Sequence, residues 1–467
     1  MRAFQSCRWI TTKMQSIVRP LHSARGQSPI SKQRPWPRNI FPTAIANLCS
    51  VLPHNNAEIP PHDHLPEAWQ DDESIQSIIA SWAGLGRRRA YTMSSQPVKQ
   101  GSSKSFSYLN KTLDETCHIT LTQDAEPLPA ACGNIATTTT TTTTTASHLL
   151  NNTAVQTFVA DFTTRLPPCT RRVSKAANPW MFVDLFLPPD QCTPIVRVLG
   201  ASFWIWLCIV DDLTEEGDEA GDLDACLRVL AKSPFDVGSA CQVEARTPAL
   251  EVMEAFRNVV RTVRTDDDLM LVILDEDECV EDEWKLHLWA EVHTVCQALK
   301  AEQSLRGRKI SMREWMAQRI ITISTRPFMV LFRAQLGLPT DLTVTLASGS
   351  EKLVQLQLLL QAVLGLENDI LGWEKDHQEQ NPLNAIEVLI SGGEHKSEAF
   401  HKVLHAHNDL MRVYLSLAAE CLAEIEGPEM AQARRYLACM VSCGHAMAEW
   451  MMSCGRYIPG SAVLRVG

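Results

Sequence analysis

The sequence predicts an all-α fold, because helix-period segments follow one another along most of the chain, alternating β patterns are scarce, and Pro and Gly mark the breaks. Many segments carry apolar residues at i, i+3, i+4 and i+7, the pattern of a helix with one buried face. Such segments are expected at about 148–165, 191–213, 222–232, 247–264, 283–304, 311–336, 343–376, 398–425 and 428–454. Helices of this length predict a bundle, in which a site is built by residues on facing helices.

Composition excludes several classes of protein. A net charge of −11 argues against a nucleic-acid partner, because neutralising phosphates needs a basic surface. The chain has no apolar run of about eighteen residues or more, so no membrane span is expected. The 15 cysteines are odd in number and form no CxxC pair, which indicates free thiols in a reducing compartment.

The first 146 residues differ in character from the rest. No acidic residue precedes Glu58, and the basic start resembles a mitochondrial transit peptide, although its prolines favour a disordered tail or a misassigned start. The threonine run Thr137 to Thr145 has no apolar face to bury, which predicts a linker. We therefore predict a largely disordered extension over 1–146 and one helical domain over 147–467. The cytoplasm is the expected location, with mitochondrial targeting as the alternative.

An acidic cluster, Asp211-Asp212-x-x-Glu215, closes the apolar run 203–210. In a helix Asp211 and Glu215 share a face, and Trp204 extends that face away from the carboxylates. Clustered carboxylates at the rim of an apolar wall repel one another and lose hydration, a cost that a hard divalent cation offsets. The alternative interpretation is a solvated acidic helix end.

A second polar cluster follows a strongly apolar helix, 353–366. Asn368, Gly372 and Asp376 are spaced i, i+4 and i+8, so they lie on one helix face. The amide oxygen of Asn368 and the carboxylate of Asp376 are suitable ligands for a hard cation. Lys375 can meet a phosphate as a point charge. A polar helix end remains the alternative for this cluster too.

Together the two clusters resemble the class I terpene synthase family, in particular its fungal sesquiterpene cyclases. That family carries a DDxxE-type motif and a facing NDxxSxxxE-type motif, here Asp211 to Glu215 and Asn368 to Asp376. Two more elements resemble the family, and the resemblance spans nearly all of 148–467. They are Trp315-x-x-x-Arg319-x-x-Thr322 and Trp450 followed by Arg456-Tyr457.

Two positions depart from the family pattern. Gly372 stands where a Ser or Thr hydroxyl is usual, and Asp376 replaces the usual Glu. Both changes put the affinity of one metal site in doubt.

The resemblance implies a single helical class I terpenoid synthase-like bundle that ionises farnesyl diphosphate and cyclises the carbocation to a sesquiterpene hydrocarbon or alcohol. Three Mg²⁺ ions are implied, with Mn²⁺ as a substitute. Expected partners are a prenyl diphosphate and, as an open question, a second copy of the chain. The implied metal ligands are Asp211, Glu215, Asn368, Gly372 and Asp376. The implied catalytic residues are Asp211, Arg319, Arg456 and Tyr457. Substrate contacts are expected from Asp212, Arg319, Lys375, Arg456, Tyr457, Trp204 and Trp450.

Several alternatives remain open. A chain-elongating prenyl diphosphate synthase, a cyclase for geranyl or geranylgeranyl diphosphate, and a decayed helical binding protein share the expected fold. A His/Asp phosphohydrolase would use His401, His405, His407 and Asp409, which are interpreted as part of a surface helix. Further aromatic candidates for stabilising a cation are Trp180, Phe203, Trp206 and Phe328, for each of which core packing is the alternative.

Overall fold

The fold of the chain is taken from a computed structural model. It describes residues 103–110, 112–113, 115–123, 141–189, 191–216, 220–236, 247–265, 271–273, 282–338, 350–424, 431–454 and 456–457. The helices within these residues are α1 Thr141–Arg165, α2 Arg171–Ala176, α3 Pro179–Phe186, α4 Pro194–Glu216, α5 Ala220–Leu230, α6 Pro248–Thr262, α7 Glu283–Leu305, α8 Met312–Thr322, α9 Thr325–Gln335, α10 Ser350–Glu379, α11 Ala385–Ser391, α12 Lys396–Glu424 and α13 Ala431–Ser453. The predicted all-α fold is confirmed.

Two helices, α4 and α10, organise the bundle. Helix α4 packs against α1, α3, α6 and α9, whereas α10 packs against α8, α12 and α13. Both have long stretches of fully buried side chains, Phe203 to Val210 in α4 and Leu359 to Glu367 in α10. Each helix therefore runs through the core and ends in a polar segment.

Helix α4 is also long and apolar enough to cross a membrane by length and composition. Its apolar segment Pro194–Thr214 is 94% buried inside the protein. The burial identifies it as the core helix of a bundle, because a membrane span would expose its apolar side chains to lipid. It is the one helix among the described residues that passes this test.

One predicted helix, 311–336, is divided into α8 and α9. Helix α8 begins with a capping box, in which Ser311 and Glu314 each bond the other's backbone N–H. The break follows at Ser324, which has a left-handed φ of 62°. The Ser324 hydroxyl donates to the carbonyl of Thr322 at 2.7 Å, which pairs one of the carbonyls left over at the helix end. The break places the end of α8 at the site described below.

A short hairpin lies within the N-terminal extension, which is predicted to be largely disordered. Strands β1 (Ser103–Asn110) and β2 (Glu115–Gln123) pair antiparallel, and β2 packs against α12 and α13. Cys117 and Ile119 alternate along β2 and are both buried. This period of two was not recognised, because the segment is short and polar overall.

The predicted boundary near Ser147 stays a prediction. Helix α1 begins at Thr141, inside the threonine run. The basic residues 1–57 and the suggested targeting segment lie outside the described residues. A second short hairpin, β3 (Val263–Thr265) with β4 (Leu271–Ile273), follows α6.

Candidate active site

The acidic end of α4 is held by an arginine from the last described segment of the chain. The Arg456 guanidinium contacts Asp211 at 2.7 Å and Asp212 at 2.5 Å, and it donates to the Cys208 carbonyl at 3.3 Å. The side chain of Arg456 is 6% exposed, whereas those of Asp211 and Asp212 are 40% and 25% exposed. Two repelling carboxylates are thus held together by a shared buried cation and still present oxygens toward solvent.

The polar face of α10 has the geometry that its spacing predicts. A Cβ built on Gly372 would lie 3.5 Å from Asp376 Oδ2 and 3.6 Å from a ring carbon of Tyr457. The Asn368 amide donates to the Tyr457 hydroxyl at 3.2 Å. Asn368, Gly372 and Asp376 therefore line one surface, and Tyr457 covers it.

Arg319 joins the same surface from α8. Its guanidinium contacts Asp369 at 2.6 Å and donates to the amide oxygen of Asn368. Asp369 is fully buried and also accepts from the Ala385 N–H at 2.5 Å. Asp369 was not among the predicted site residues.

The ends of α4 and α10 share one electrostatic field. Burial raises the pKa of Asp376 above its usual range, and the negative charge of Asp211 raises it further. A hydrogen bond from Asn384 and the cations Lys375 and Arg319 oppose this rise. Because Arg456 contacts Asp211 and the adjacent Tyr457 contacts Asn368, the two predicted metal-ligand clusters lie at the same end of the bundle, where a cation between them would relieve their repulsion.

Asn384 is a site residue that was not predicted from the sequence. It caps α11, where its side chain accepts from the Ile386 N–H. Its amide donates to Asp376 Oδ2 at 2.8 Å and to the Asp369 carbonyl at 2.9 Å. An Asn ahead of an apolar segment is a sequence signal for a helix cap, but the two bonds to α10 depend on how α11 packs.

The described contacts do not test the roles predicted for Lys375 and Glu215. Lys375 contacts Glu379 along α10 at 3.3 Å, and it influences the site through its charge beside Asp376. The backbone of Glu215 belongs to α4, and its side chain lies outside the described residues. The roles assigned to both stay predictions.

Below the polar groups lies a cluster of aromatic rings. Trp204 stacks on Phe182 with ring centroids 3.7 Å apart and meets Trp450 edge-on at 4.7 Å. Phe328 packs against Phe182 at 5.2 Å, and Trp450 contacts Tyr457 at 5.4 Å. Tyr457 thus connects the aromatic cluster to Asn368, so the predicted residues Trp204 and Trp450 lie next to the polar site. Phe182, from α3, was not among the candidates.

Other aromatic candidates belong to different surroundings. Phe203 and Trp206 pack against Phe256 on another face of α4, which favours core packing for Trp206. Phe203 also packs against Phe328, with the ring centroids 5.4 Å apart. Trp180 lies against the guanidinium of Arg197.

The histidines of α12 do not form a metal site. His405 is exposed, and His401 bonds the carbonyl of Ser397. His407 corrects the surface-helix interpretation, because it is fully buried and lies 3.5 Å from the buried Glu367. Helix α12 packs against α10 along this face.

The donors at the end of the bundle fit a divalent metal that binds together with its substrate. Among the described residues, no three Asp, Glu, His or Cys side chains converge to hold a metal. Mg²⁺ usually takes one or two protein carboxylates and completes its shell with water and phosphate oxygens. Asp211 on α4 and the pair Asn368 and Asp376 on α10 provide such a small number of protein ligands and leave the remaining positions to water and phosphate. A cation at Asn368 would replace the bond from Arg319.

In this helical bundle, an acidic helix end faces a helix face that carries an amide and a carboxylate. Arginines flank these groups, and aromatic rings lie below them. This arrangement defines a class of enzyme that binds a metal-complexed anion above an apolar centre. Residues 202–413 match the family described as Terpene synthase family 2, C-terminal metal binding. The matched range contains Asp211, Arg319, Asn368 and Asp376. The chain therefore carries a terpene synthase metal-binding domain on the fold of the class I terpene synthases. The domain indicates use of a divalent metal and implies a prenyl diphosphate substrate.

Solved structures agree on the fold. The chain is similar to 2-methylisoborneol synthase from Streptomyces coelicolor A3(2), solved with Mg²⁺ and 2-fluoroneryl diphosphate, at 13% identity and a TM-score of 0.52, over 67% of this chain and 93% of that chain. It is also similar to a-eudesmol synthase at 14% identity and a TM-score of 0.50, over 66% of this chain and 95% of that chain. No curated protein sequence matches the chain at a significant level. At these identities the structural matches carry the fold alone.

Proposed function

We propose that the chain is a sesquiterpene cyclase that ionises farnesyl diphosphate with Mg²⁺ and closes the resulting carbocation into a ring. One observation carries the proposal. Arg456 and Tyr457 connect the acidic end of α4 to the polar face of α10, directly above the cluster that contains Trp204 and Trp450. Donors for a diphosphate and aromatic faces for a cation therefore meet at one place.

The first chemical task is to stabilise a leaving diphosphate. Arg319, Arg456 and the Tyr457 hydroxyl are preorganised donors, and such donors act most strongly where charge develops in a site shielded from water. Asp212 orients Arg456 through their 2.5 Å contact. Asp211, Asn368 and Asp376 would hold the divalent ions, which supply further neutralisation of the leaving group when bound.

The second task is to protect a carbocation. The apolar wall of α4 excludes water from the centre of the bundle, since Phe203 to Val210 are all buried. Aromatic faces attract a cation through their quadrupoles, by roughly 0.5–2 kcal/mol per ring depending on solvation. Trp204, Phe182 and Trp450 pack on one another, so an isoprenoid chain enters by separating these rings.

Separate observations support Mg²⁺ as the metal and farnesyl diphosphate as the substrate. The related 2-methylisoborneol synthase was solved with Mg²⁺ and a diphosphate, and this supports a similar ligand pair here. The length of the prenyl chain rests on the resemblance to sesquiterpene cyclases. Geranyl and geranylgeranyl diphosphate are therefore compared directly with farnesyl diphosphate in the test.

The test is incubation of the full chain with Mg²⁺ and each diphosphate, followed by mass spectrometry of volatile and ionic products. We expect cyclic products from farnesyl diphosphate, and at least a hundredfold loss in kcat for Asp211→Asn. The matched control is Asp409→Asn, which makes the same change in an exposed ion pair on α12 and should retain activity. Longer linear diphosphates would instead identify a chain-elongating enzyme, and no conversion of any substrate would contradict the proposal.

A further inference from the structure

A small pocket adjoins the site at Arg319. It lies between the end of α7 and helix α8, and it has space for roughly a single water-sized molecule. Its lining combines apolar side chains with a few polar ones. The lining includes Glu302, Leu305, Ile310, Trp315, Arg319 and Thr322.

The polar atoms of this pocket provide the donors and the acceptor that a buried water molecule needs. Glu302 Oε2, the indole nitrogen of Trp315 and Nε of Arg319 are all buried and have no hydrogen-bond partner among the described residues. Trp315 is 2% exposed. A buried donor or acceptor without a partner costs about 1–3 kcal/mol, and a buried water usually bonds two to four such groups. One acceptor and two donors around one small space match that requirement.

Glu302 is suited to accept a proton. Burial raises its pKa, and the charge of Asp211 raises it further, whereas Arg319 and the Thr322 hydroxyl lower it. A carboxylate in this setting is a stronger base than one in water. The neighbouring Arg319 is among the groups proposed to bind the diphosphate, so the pocket borders the proposed diphosphate site.

We propose that this pocket binds one water molecule that adds to the terpenyl carbocation with Glu302 as the base, so that the enzyme releases a terpene alcohol. The inference rests on the proposed function, and it selects a terpene alcohol over a hydrocarbon as the product. The water oxygen forms the new C–O bond, one O–H bond breaks, and its proton passes to the Glu302 carboxylate. No oxidant or reductant is needed.

The same contacts explain why a water beside a carbocation would not end the reaction too early. The N–H groups of Trp315 and Arg319 occupy the lone pairs of the water, which makes it a poor nucleophile. For the water to attack the carbocation, one of these two hydrogen bonds must break, so that the freed lone pair can form the bond to carbon. Only a cation that reaches the pocket in the right position can then be captured, and the centre of the bundle stays dry.

The experiment follows the oxygen atom. The full-length protein is incubated with Mg²⁺ and farnesyl diphosphate in half-enriched H₂¹⁸O, and products are analysed by gas chromatography–mass spectrometry. The variants are Glu302→Gln, which keeps the shape of the side chain, and Trp315→Phe, which keeps a ring and removes the N–H. The matched control is Glu291→Gln, a partly buried glutamate of the same helix that pairs with Arg326 and does not line the pocket.

We expect the wild-type alcohol to carry ¹⁸O at the solvent ratio. The alcohol-to-hydrocarbon ratio should fall at least tenfold in Glu302→Gln, fall in Trp315→Phe, and stay unchanged in Glu291→Gln. Because the readout is a product ratio, partial loss of folded protein does not affect it. Hydrocarbons alone from the wild type would overturn this inference and leave the proposed cyclase intact, as would an unchanged ratio in both pocket variants. No conversion by the wild type would overturn the proposed function and this inference with it.

Discussion

Replacing Arg456 by alanine tests whether the end of the chain assembles the site. The substitution removes a charged hydrogen bond to Asp211, an ion pair with Asp212 and a bond to the Cys208 carbonyl. It also leaves two adjacent carboxylates without their shared cation. Stability and kcat should fall, whereas the affinity for Mg²⁺ should rise.

The size of the stability effect follows from exposure. A hydrogen bond to a charged group contributes about 1.5–3 kcal/mol. Asp211 and Asp212 are 40% and 25% exposed, so water replaces part of each lost interaction and about 1 kcal/mol per carboxylate remains. We expect a loss of about 2 kcal/mol, or roughly 4 °C in Tm at about 2 °C per kcal/mol for a large domain.

Catalysis should fall much further than stability. Losing one preorganised donor to a developing negative charge typically lowers kcat by about 10²–10³. Binding of Mg²⁺ without diphosphate should instead become tighter, because Arg456 no longer competes for Asp211. The three readouts are urea unfolding followed by circular dichroism, steady-state kinetics with farnesyl diphosphate, and calorimetric titration with Mg²⁺.

The matched control is Arg412→Ala, which removes an arginine from an exposed pair with Asp409 on α12. Its stability should change by less than about 0.5 kcal/mol, since such pairs contribute little, and kcat should be retained. Wild-type stability together with wild-type kcat in Arg456→Ala would refute the placement of this arginine over the acidic helix end.

Three further predictions concern single positions. Burial raises the pKa of the Cys439 thiol to about 11, so its thiolate is on the order of 0.1% populated at pH 8. Iodoacetamide should therefore alkylate the exposed Cys169 first, and the Cys439 rate should rise about tenfold per pH unit until the pH approaches 11, as peptide mass spectrometry can follow. Gly372→Ser should fold normally, because its Cβ meets neighbours no closer than 3.5 Å, and its hydroxyl should lower the Mg²⁺ concentration for half-maximal activity; a Tm loss above about 5 °C would contradict the open geometry. Asn384→Ala should cost about 1–3 kcal/mol in urea unfolding, because it removes a helix cap and a bond to Asp376; an unaltered unfolding midpoint would show that these bonds contribute nothing.

The local parts of the site were predictable from the sequence. The spacing of Asn368, Gly372 and Asp376 fixed their common face, because a helix repeats every 3.6 residues wherever it lies. The apolar run before Asp211 likewise predicted a buried helix with an acidic end. Both predictions depend on residues close in sequence.

Packing decided the partners of these groups. Asp369 binds Arg319, Asn384 bonds α10 from another helix, and Glu302 borders the same site from α7. These side chains are separated along the chain, and no spacing rule predicts which helices will face one another. The hairpin and the break at Ser324 were missed for a related reason. Short elements are stabilised mainly by what they pack against.

The sequence by itself determined an α-helical bundle with two polar helix ends suited to a divalent cation, because helical periodicity and side-chain chemistry are properties of nearby residues. Only the tertiary structure decided that Arg456 and Tyr457 join those ends above Trp204 and Trp450, and that Glu302 lies beside Arg319 in a small pocket. Such contacts arise from the packing of distant segments, whose geometry is set by the whole core.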